Sequence, residues 1–205
     1  MDSREITKWA VELQSLAQDA LAYCKDPFDI ERFNRIREIS AEMLSGISDE
    51  PIEKVRDIFC CERGYQTPKL DCRASIFQNG KILLVQERDG RWSLPGGWVD
   101  VHLSVKENTI KEVWEEAGLR VEADRIIAVQ DRDKHNTPIY ANKICKIFVE
   151  CSIIDGEFRE NSETIGSGYF TVEELPALAL EKVTPEQIAM CFRAHKDDTW
   201  KVWFD

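Results

Sequence analysis

Residues 97–119 read GWVDVHLSVKENTIKEVWEEAGL, and the rest of the chain is organised around them. Ser104 followed three residues later by Glu107 is a capping box, and Gly118 is a helix stop, so the spacing predicts a helix between them. On that helix Glu112, Glu115 and Glu116 share one face at i, i+3, i+4 spacing. Ile110, Val113, Trp114 and Ala117 fall opposite, as a core-facing stripe. Glu112 and Glu116 are like charges one turn apart, which costs an isolated helix roughly a few tenths of a kcal/mol. A divalent cation turns that cost into binding. Hard oxygen ligands of this kind suit Mg²⁺ or Mn²⁺, with waters retained and substrate phosphates completing the shell. The turn Leu94-Pro95-Gly96-Gly97 leads straight in, and paired glycines let a backbone approach a ligand closely. The competing reading is an ordinary amphipathic helix with a solvated acidic face.

Composition bounds the function classes. At 205 residues the chain holds one large domain, or one medium domain and a small one, and 43% apolar content suffices for a packed core. No run approaches the eighteen or so apolar residues of a membrane span, and the amphipathic MDSREITKWAVEL start is unlike a secretory signal. A formal net charge of −11 argues against broad nucleic-acid binding. An acidic protein acting on acidic ligands must place cations locally. The cysteines (Cys24, Cys60, Cys61, Cys72, Cys145, Cys151, Cys191) show no CxxC spacing and sit largely in apolar runs, which predicts reduced thiols in a cytoplasmic protein and no zinc.

Residues 1–64 read as a helical N-terminal extension and 65–205 as a second domain. Ile6, Trp9, Leu13, Leu16 and Ala20 recur at helical spacing after an Asp2/Glu5 capping box. Pro27 breaks that helix, Asp29 caps the next, and Ile30, Phe33, Ile36, Ile39 and Met43 carry its apolar face to Gly46. A third helix follows Asp49-Glu50-Pro51, with Ile52, Val55 and Phe59 inward. Beyond the linker-like Gly64–Lys69 stretch, Asp71–Gln78 and Lys81–Gln86 form a hairpin about Asn79-Gly80, a type I′ turn. Strands are expected near 121–130 and 143–151, separated by a polar loop over Asp131–Asn142, and a short one near Tyr169-Phe170. Thr171 with Glu174 caps a brief helix, and Thr184-Pro185-Glu186-Gln187 opens a last one running to about His195. Strands and helices do not alternate regularly. The fold class is therefore α+β with a mixed sheet, an α/β/α sandwich preceded by a small helical domain.

The 97–119 stretch resembles the Nudix box: Gly, five residues, Glu, seven residues, Arg-Glu, an aliphatic, any residue, Glu-Glu, any residue, Gly, an aliphatic. Gly97, Glu112, Val113, Glu115, Glu116, Gly118 and Leu119 match. At a usage of roughly 7% for Gly and for Glu, seven such matches arise by chance on the order of 10⁻⁷ per start. Leu103 stands where the first Glu belongs and Lys111 replaces the Arg. Lys keeps the charge but loses the planar fork, and Leu103 removes a carboxylate. Loss of both halves of that pair with the inner glutamates intact fits a rearranged support better than decay. The N-terminal helices, GYQTPKLDCR and GRWSLPGGWVDV extend the likeness over nearly the whole chain, to a subgroup with a helical extension that acts on nucleoside diphosphates linked to another moiety and includes bacterial CDP-choline pyrophosphatases.

The resemblance implies Mg²⁺ (or Mn²⁺) held by Glu112, Glu115, Glu116 and the Gly96 carbonyl, and a homodimer. It also implies a glutamate in a later loop that helps activate water; Glu163 is the candidate, with Glu160 as rival. Candidate substrate contacts are Arg73, Arg88, Arg132, His135, Trp98 and Tyr65, with Lys69 and Lys134 further possible phosphate contacts and Trp92 another aromatic face; a choline group needs such a face for its ammonium. The expected reaction is hydrolysis of CDP-choline, a small-molecule nucleotide, to CMP and phosphocholine. ADP-ribose hydrolysis, metal-dependent trimming of RNA ends and a non-catalytic nucleotide-sensing module are the alternatives; the acidic balance disfavours RNA.

Overall fold

In a computed structural model, which describes residues 2–48 and 50–205, the chain divides into two compact units. One comprises Met1–Pro68 with Ile139–Lys143, the other Lys69–Pro138 with Ile144–Asp205.

The first unit is helical: α1 (Ser3–Tyr23), α2 (Pro27–Ile47) and α3 (Ile52–Phe59). Asp2 caps α1 by accepting from the Arg4 N–H, a single cap rather than the reciprocal box expected with Glu5. Asp26, not Asp29, caps α2, accepting from the Phe28 and Asp29 N–H groups. Pro27 is then the first helical residue, where its missing N–H costs nothing, so it starts α2. Met1, and Asp49 of the expected lead-in to α3, lie outside the described residues. The core of this unit is small: Ala10, Ala41, Leu44, Val55 and Phe59, with Ala141 of the returning segment packed against it.

The buried face of α1 is Ala10, Gln14, Ala17 and Gln18. Of the stripe expected inside, Ile6, Leu13 and Ala20 are half-buried, while Trp9 is 45% and Leu16 61% exposed. Small residues let α1 and α2 approach closely, and the buried amides stay satisfied. Gln14 donates to Gln18 Oε1 at 2.9 Å and accepts from Arg37 Nε at 3.1 Å, and Gln18 donates to the Gly64 carbonyl at 2.9 Å.

The second unit is built on a mixed sheet. Its elements are β1 (Lys69–Gln78), β2 (Lys81–Glu87), β3 (Trp92–Ser93), α4 (Val105–Ala117), β4 (Leu119–Asp131), α5 (Arg132–His135), β5 (Ile144–Gly156), β6 (Thr164–Phe170), α6 (Pro185–Lys196) and β7 (Trp203–Phe204). A 3-10 turn, Val172–Glu174, follows β6. Strand order is β3-β2-β1-β5-β4-β7, with β6 also on β2; β1 runs parallel to β5, and β5 antiparallel to β4. Asn79 and Gly80 both have positive φ, as the type I′ hairpin requires.

The apolar run of β2 explains the layering. Leu83 and Val85 join Ala74, Ile76 and the α4 residues Val113 and Ala117 in one core. Ile82 and Leu84 join Leu94, Phe148 and the α6 residues Ile188 and Cys191 in another. Alternate residues of a strand point to opposite faces, so a strand covered on both sides reads as continuously apolar. The result is an α/β/α sandwich.

Three further expectations on elements are corrected, and two short strands are added. Trp114 is 56% exposed rather than core. It lies about 100° around α4 from Val113 at 3.6 residues per turn, off the buried stripe. The strand near Tyr169 begins at Thr164, the polar 131–142 loop contains α5, and β3 and β7, at two residues each, carry no periodicity a sequence can reveal. No disulfide joins any of the seven cysteines, and no described helix is long and apolar enough to cross a membrane.

Candidate active site

The capping box at the start of α4 is complete: the Glu107 N–H donates to Ser104 Oγ, and the Ser104 N–H donates to Glu107 Oε2. Gly118 ends the helix in the left-handed conformation. Between them the polar positions 108, 112 and 116 align at i, i+4, i+8 along one edge. Asn108 is fully buried; its Nδ2 donates to the Trp98 carbonyl at 3.1 Å and its Oδ1 accepts from the Asp100 N–H at 3.0 Å. It fixes residues 98–100 to α4.

Glu116 lies deepest. Its Oε2 accepts from the Gly96 N–H at 2.8 Å. Burial pushes its carboxyl up to about 7, against the opposing charge of Arg73 and the Gly96 hydrogen bond. Glu112 is also raised by burial, against Lys111, and the charge of Glu163 adds to the rise. Both abut the two-glycine turn. A Cβ on Gly97 would lie 2.9 Å from Glu112 Oε2; one on Gly96, whose φ is +140°, would lie 2.0 Å from the Cys72 carbonyl oxygen. At Gly96 no other residue fits, whereas a side chain at Gly97 would have to push the Glu112 carboxylate aside.

Glu115 stands on the outer side, its side chain 51% exposed and 2.9 Å from Lys111 Nζ. Among the described residues no three His, Cys, Asp or Glu side chains converge into a closed metal cage. The donors nevertheless fit a hard cation. Two carboxylates that burial disfavours as anions stand one helical turn apart against the Gly96-Gly97 turn, and Mg²⁺ keeps several waters and takes only one or two carboxylates. Glu112 and Glu116 would hold it, since burial raises both, whereas Glu115 is half exposed; Lys111 lies 2.9 Å from Glu115 and 3.2 Å from Glu112.

Glu163 is brought to this helix by a turn the sequence did not reveal. Asn161 Oδ1 accepts from the Glu163 and Thr164 N–H groups, each at 2.9 Å, and Thr164 Oγ1 donates to the Glu116 carbonyl at 2.7 Å. Arg88 closes the turn, donating to the Ser162 and Asn161 carbonyls at 2.6 and 2.8 Å. Arg88 thus organises the loop instead of waiting for a phosphate. Glu160 lines a neighbouring cleft of about 800 Å³, with Trp114, Glu115, Arg120 and Arg159.

The other expected substrate contacts scatter. Arg73 is buried, paired in bidentate fashion with Asp71 at 2.9 and 2.6 Å, and acts on Glu116 from within. Arg132, also buried, donates to the Glu181 and Pro138 carbonyls and is not presented to a ligand. His135 faces the Asp205 carboxylate at 3.0 Å and the Trp203 ring edge-on, pinning the chain end. Trp92 packs edge-on against Phe170 in the core. Trp98 is 54% exposed beside the glycine turn, and Tyr65 is exposed in the helical unit. The sequence reading missed Asn108, Asp100, Asn161 and Thr164. Only Asn108 left a signal, as a polar residue in register with Glu112 and Glu116.

Leu103 belongs to none of the core clusters and is partly exposed, its N–H held by the Asp100 carbonyl at 3.0 Å. Leu103→Glu is therefore expected to fold normally, with a melting temperature within about 2 °C of wild type, since surface changes cost within about 0.5 kcal/mol. Thermal denaturation checks this, and an unfolded product would contradict it.

Comparisons with known proteins bear on both units. Residues 71–191 match the NUDIX domain, and residues 4–59 match a family described as a UDP-X-like, N-terminal oligomerisation domain. The Bacillus subtilis (strain 168) protein YjhB is 39% identical over 203 residues, 97% of this chain and 98% of that one. The crystal structure of an ADP-ribose pyrophosphatase from Streptococcus suis 89-1591 superposes with a TM-score of 0.65 at 54% identity, covering 68% of this chain and all of that one. That of a UDP-X diphosphatase superposes at the same score with 31% identity, covering both chains fully.

Proposed function

The chain belongs to the Nudix family, its enzymes being pyrophosphohydrolases of nucleoside diphosphate derivatives, and we propose that it hydrolyses ADP-ribose to AMP and ribose 5-phosphate with Mg²⁺. The observation that carries the chemistry is the pair of burial-raised carboxylates, Glu112 and Glu116, against the Gly96-Gly97 turn. A divalent cation bound there supplies charge neutralisation at the diphosphate and a water of lowered pKa. Glu116, whose Oε2 accepts from the Gly96 N–H, would be the inner ligand of that cation. Glu163 accepts the proton of the attacking water as its oxygen bonds to phosphorus and the bridging P–O bond breaks. Asn161, Thr164 and Arg88 shape the turn that carries Glu163 and tie it to α4, close enough for its charge to act on Glu112. The base and sugar occupy the cleft beside Trp114, whose volume suits a small ligand.

A second reading, CDP-choline, rests on the exposed indoles Trp98 and Trp114, either of which offers a face to a quaternary ammonium. An assay of ADP-ribose, CDP-choline, a UDP-linked sugar and a short RNA with Mg²⁺, with products identified by chromatography, tests both. AMP with ribose 5-phosphate as the fastest products supports the first. Faster CMP and phosphocholine replaces it with the second, and shortened RNA or no turnover overturns both.

The helical unit is proposed to make a homodimer through the outward stripe of α1, where Trp9 and Leu16 are exposed on the protomer. Apolar surface of that kind is most commonly covered by two-fold self-association. Light scattering is expected to give twice the 23.7 kDa protomer mass. Leu16→Glu should shift it toward the protomer without lowering protomer stability; a protomer mass for wild type would refute the dimer. The free thiols fit a reducing cytoplasm.

A further inference from the structure

Lys111 does not act alone. Its Nζ lies 2.9 Å from Glu115 Oε2, 3.2 Å from Glu112 Oε1 and 3.5 Å from Asp100 Oδ2. An ammonium has three donors and no acceptor, so three carboxylates from different directions suit it as they would not suit the planar fork of arginine. Two of the three belong to the same helix as Lys111. Asp100 is the only one of these partners anchored off that helix.

Asp100 is itself held. Its N–H donates to Oδ1 of the fully buried Asn108 at 3.0 Å, and its carbonyl accepts from the Leu103 N–H at 3.0 Å. Asp100 and Leu103 are thus the two ends of one turn, tied to α4 one helical turn before Glu112. A carboxylate is missing at position 103, and one stands at the opposite end of the same turn, within reach of Lys111. We propose that Asp100 is a positioning residue that substitutes for the absent carboxylate at Leu103, holding Lys111, with Glu115 as its second tether, so that Glu112 keeps its place at the cation site.

This rests on the metal-dependent hydrolysis proposed above. The pairing with Glu115 also leaves room for the anchor to matter, because a lysine four residues before a glutamate is the weaker helical order. Partners that orient metal ligands from outside typically cost 10- to 100-fold in metal affinity or activity when removed.

The test is a double-mutant cycle on the full-length protein with Asp100→Asn, Lys111→Met and the pair, read by Mn²⁺ titration in the absence of substrate, by kcat, and by melting temperature. Half of the Asp100 side chain is near solvent, so Asp100→Asn is expected to melt as wild type does. Its Mn²⁺ affinity and kcat are expected to fall about tenfold. Adding it to Lys111→Met should bring no further loss, since Asp100 acts through that lysine. Unchanged Mn²⁺ affinity and kcat in Asp100→Asn, or losses that multiply in the double variant, would overturn the assignment. The Mn²⁺ titration is readable even if wild type turns over none of the substrates named above, which separates failure of this assignment from failure of that reading.

Discussion

Glu116→Gln is expected to abolish turnover, by 10²-fold or more, while leaving a folded protein that is more stable without metal than wild type. The loss of activity follows from removing an inner carboxylate that stabilises charge in the transition state. The gain in stability follows from burial. Burial pushes the Glu116 carboxyl up to about 7, from the 4.5 of an ordinary glutamate, so it prefers its neutral form in the fold. A group whose folded pKa is raised contributes stability that is fully present below about 4.5 and is lost as pH rises through about 7. In EDTA, wild type should therefore fall behind Glu116→Gln between pH 5 and 7.5, by on the order of 3 kcal/mol at most for a shift of this size. Added Mg²⁺ at pH 7.5 should restore wild type and leave the variant unmoved. Melting curves with and without Mg²⁺ check this, and a glutamine variant that retains turnover removes Glu116 from the mechanism.

Arg73→Met is expected to be the most destabilising single change near the site. Its guanidinium and the Asp71 carboxylate are both nearly inaccessible and paired through two hydrogen bonds, with a third bond to the Leu94 carbonyl at 3.3 Å. Breaking a buried pair leaves an uncompensated charge and costs about 3–5 kcal/mol. For a chain of this size that lowers the melting temperature by roughly 10 °C. Lys146 lies 3.9 Å from Asp71, but burial pulls its ammonium down to about 7, so it compensates only in part. Asp71→Leu combined with Arg73→Met should be milder than Arg73→Met alone, because no charge is then stranded. A melting temperature for Arg73→Met within about 2 °C of wild type would contradict this account. Arg73 also opposes the rise of Glu116, so the variant should need more Mg²⁺ to reach half its maximal rate.

The part of the fold governed by local rules was legible in the sequence. Ser104, Glu107 and Gly118 fixed both ends of α4, and Asn79-Gly80 fixed the hairpin, because caps and turns are decided within a few residues. Apolar spacing placed α1 correctly but centred its buried face wrongly, on Trp9 and Leu16. The sequence cannot tell a stripe bound for the core from one left for a partner, and Ala10, Gln14 and Ala17 faced inward instead. The glutamates of the site were legible because one helix carries them at fixed offsets. Its supports were not, since Asn161 and Arg88 are 73 residues apart and meet only through the sheet. Arginines offered for phosphate proved to be paired or clamped, as for Arg73, Arg88 and Arg132: charge is visible in a sequence, but burial is not.

The central claim is that Glu112 and Glu116 form the cation site. Mn²⁺ titration of wild type and Glu116→Gln, followed by electron paramagnetic resonance without substrate, tests it most directly. The account predicts saturable binding to wild type that Mg²⁺ displaces, weakened by tenfold or more in the variant. Equal Mn²⁺ binding by the two proteins would contradict it.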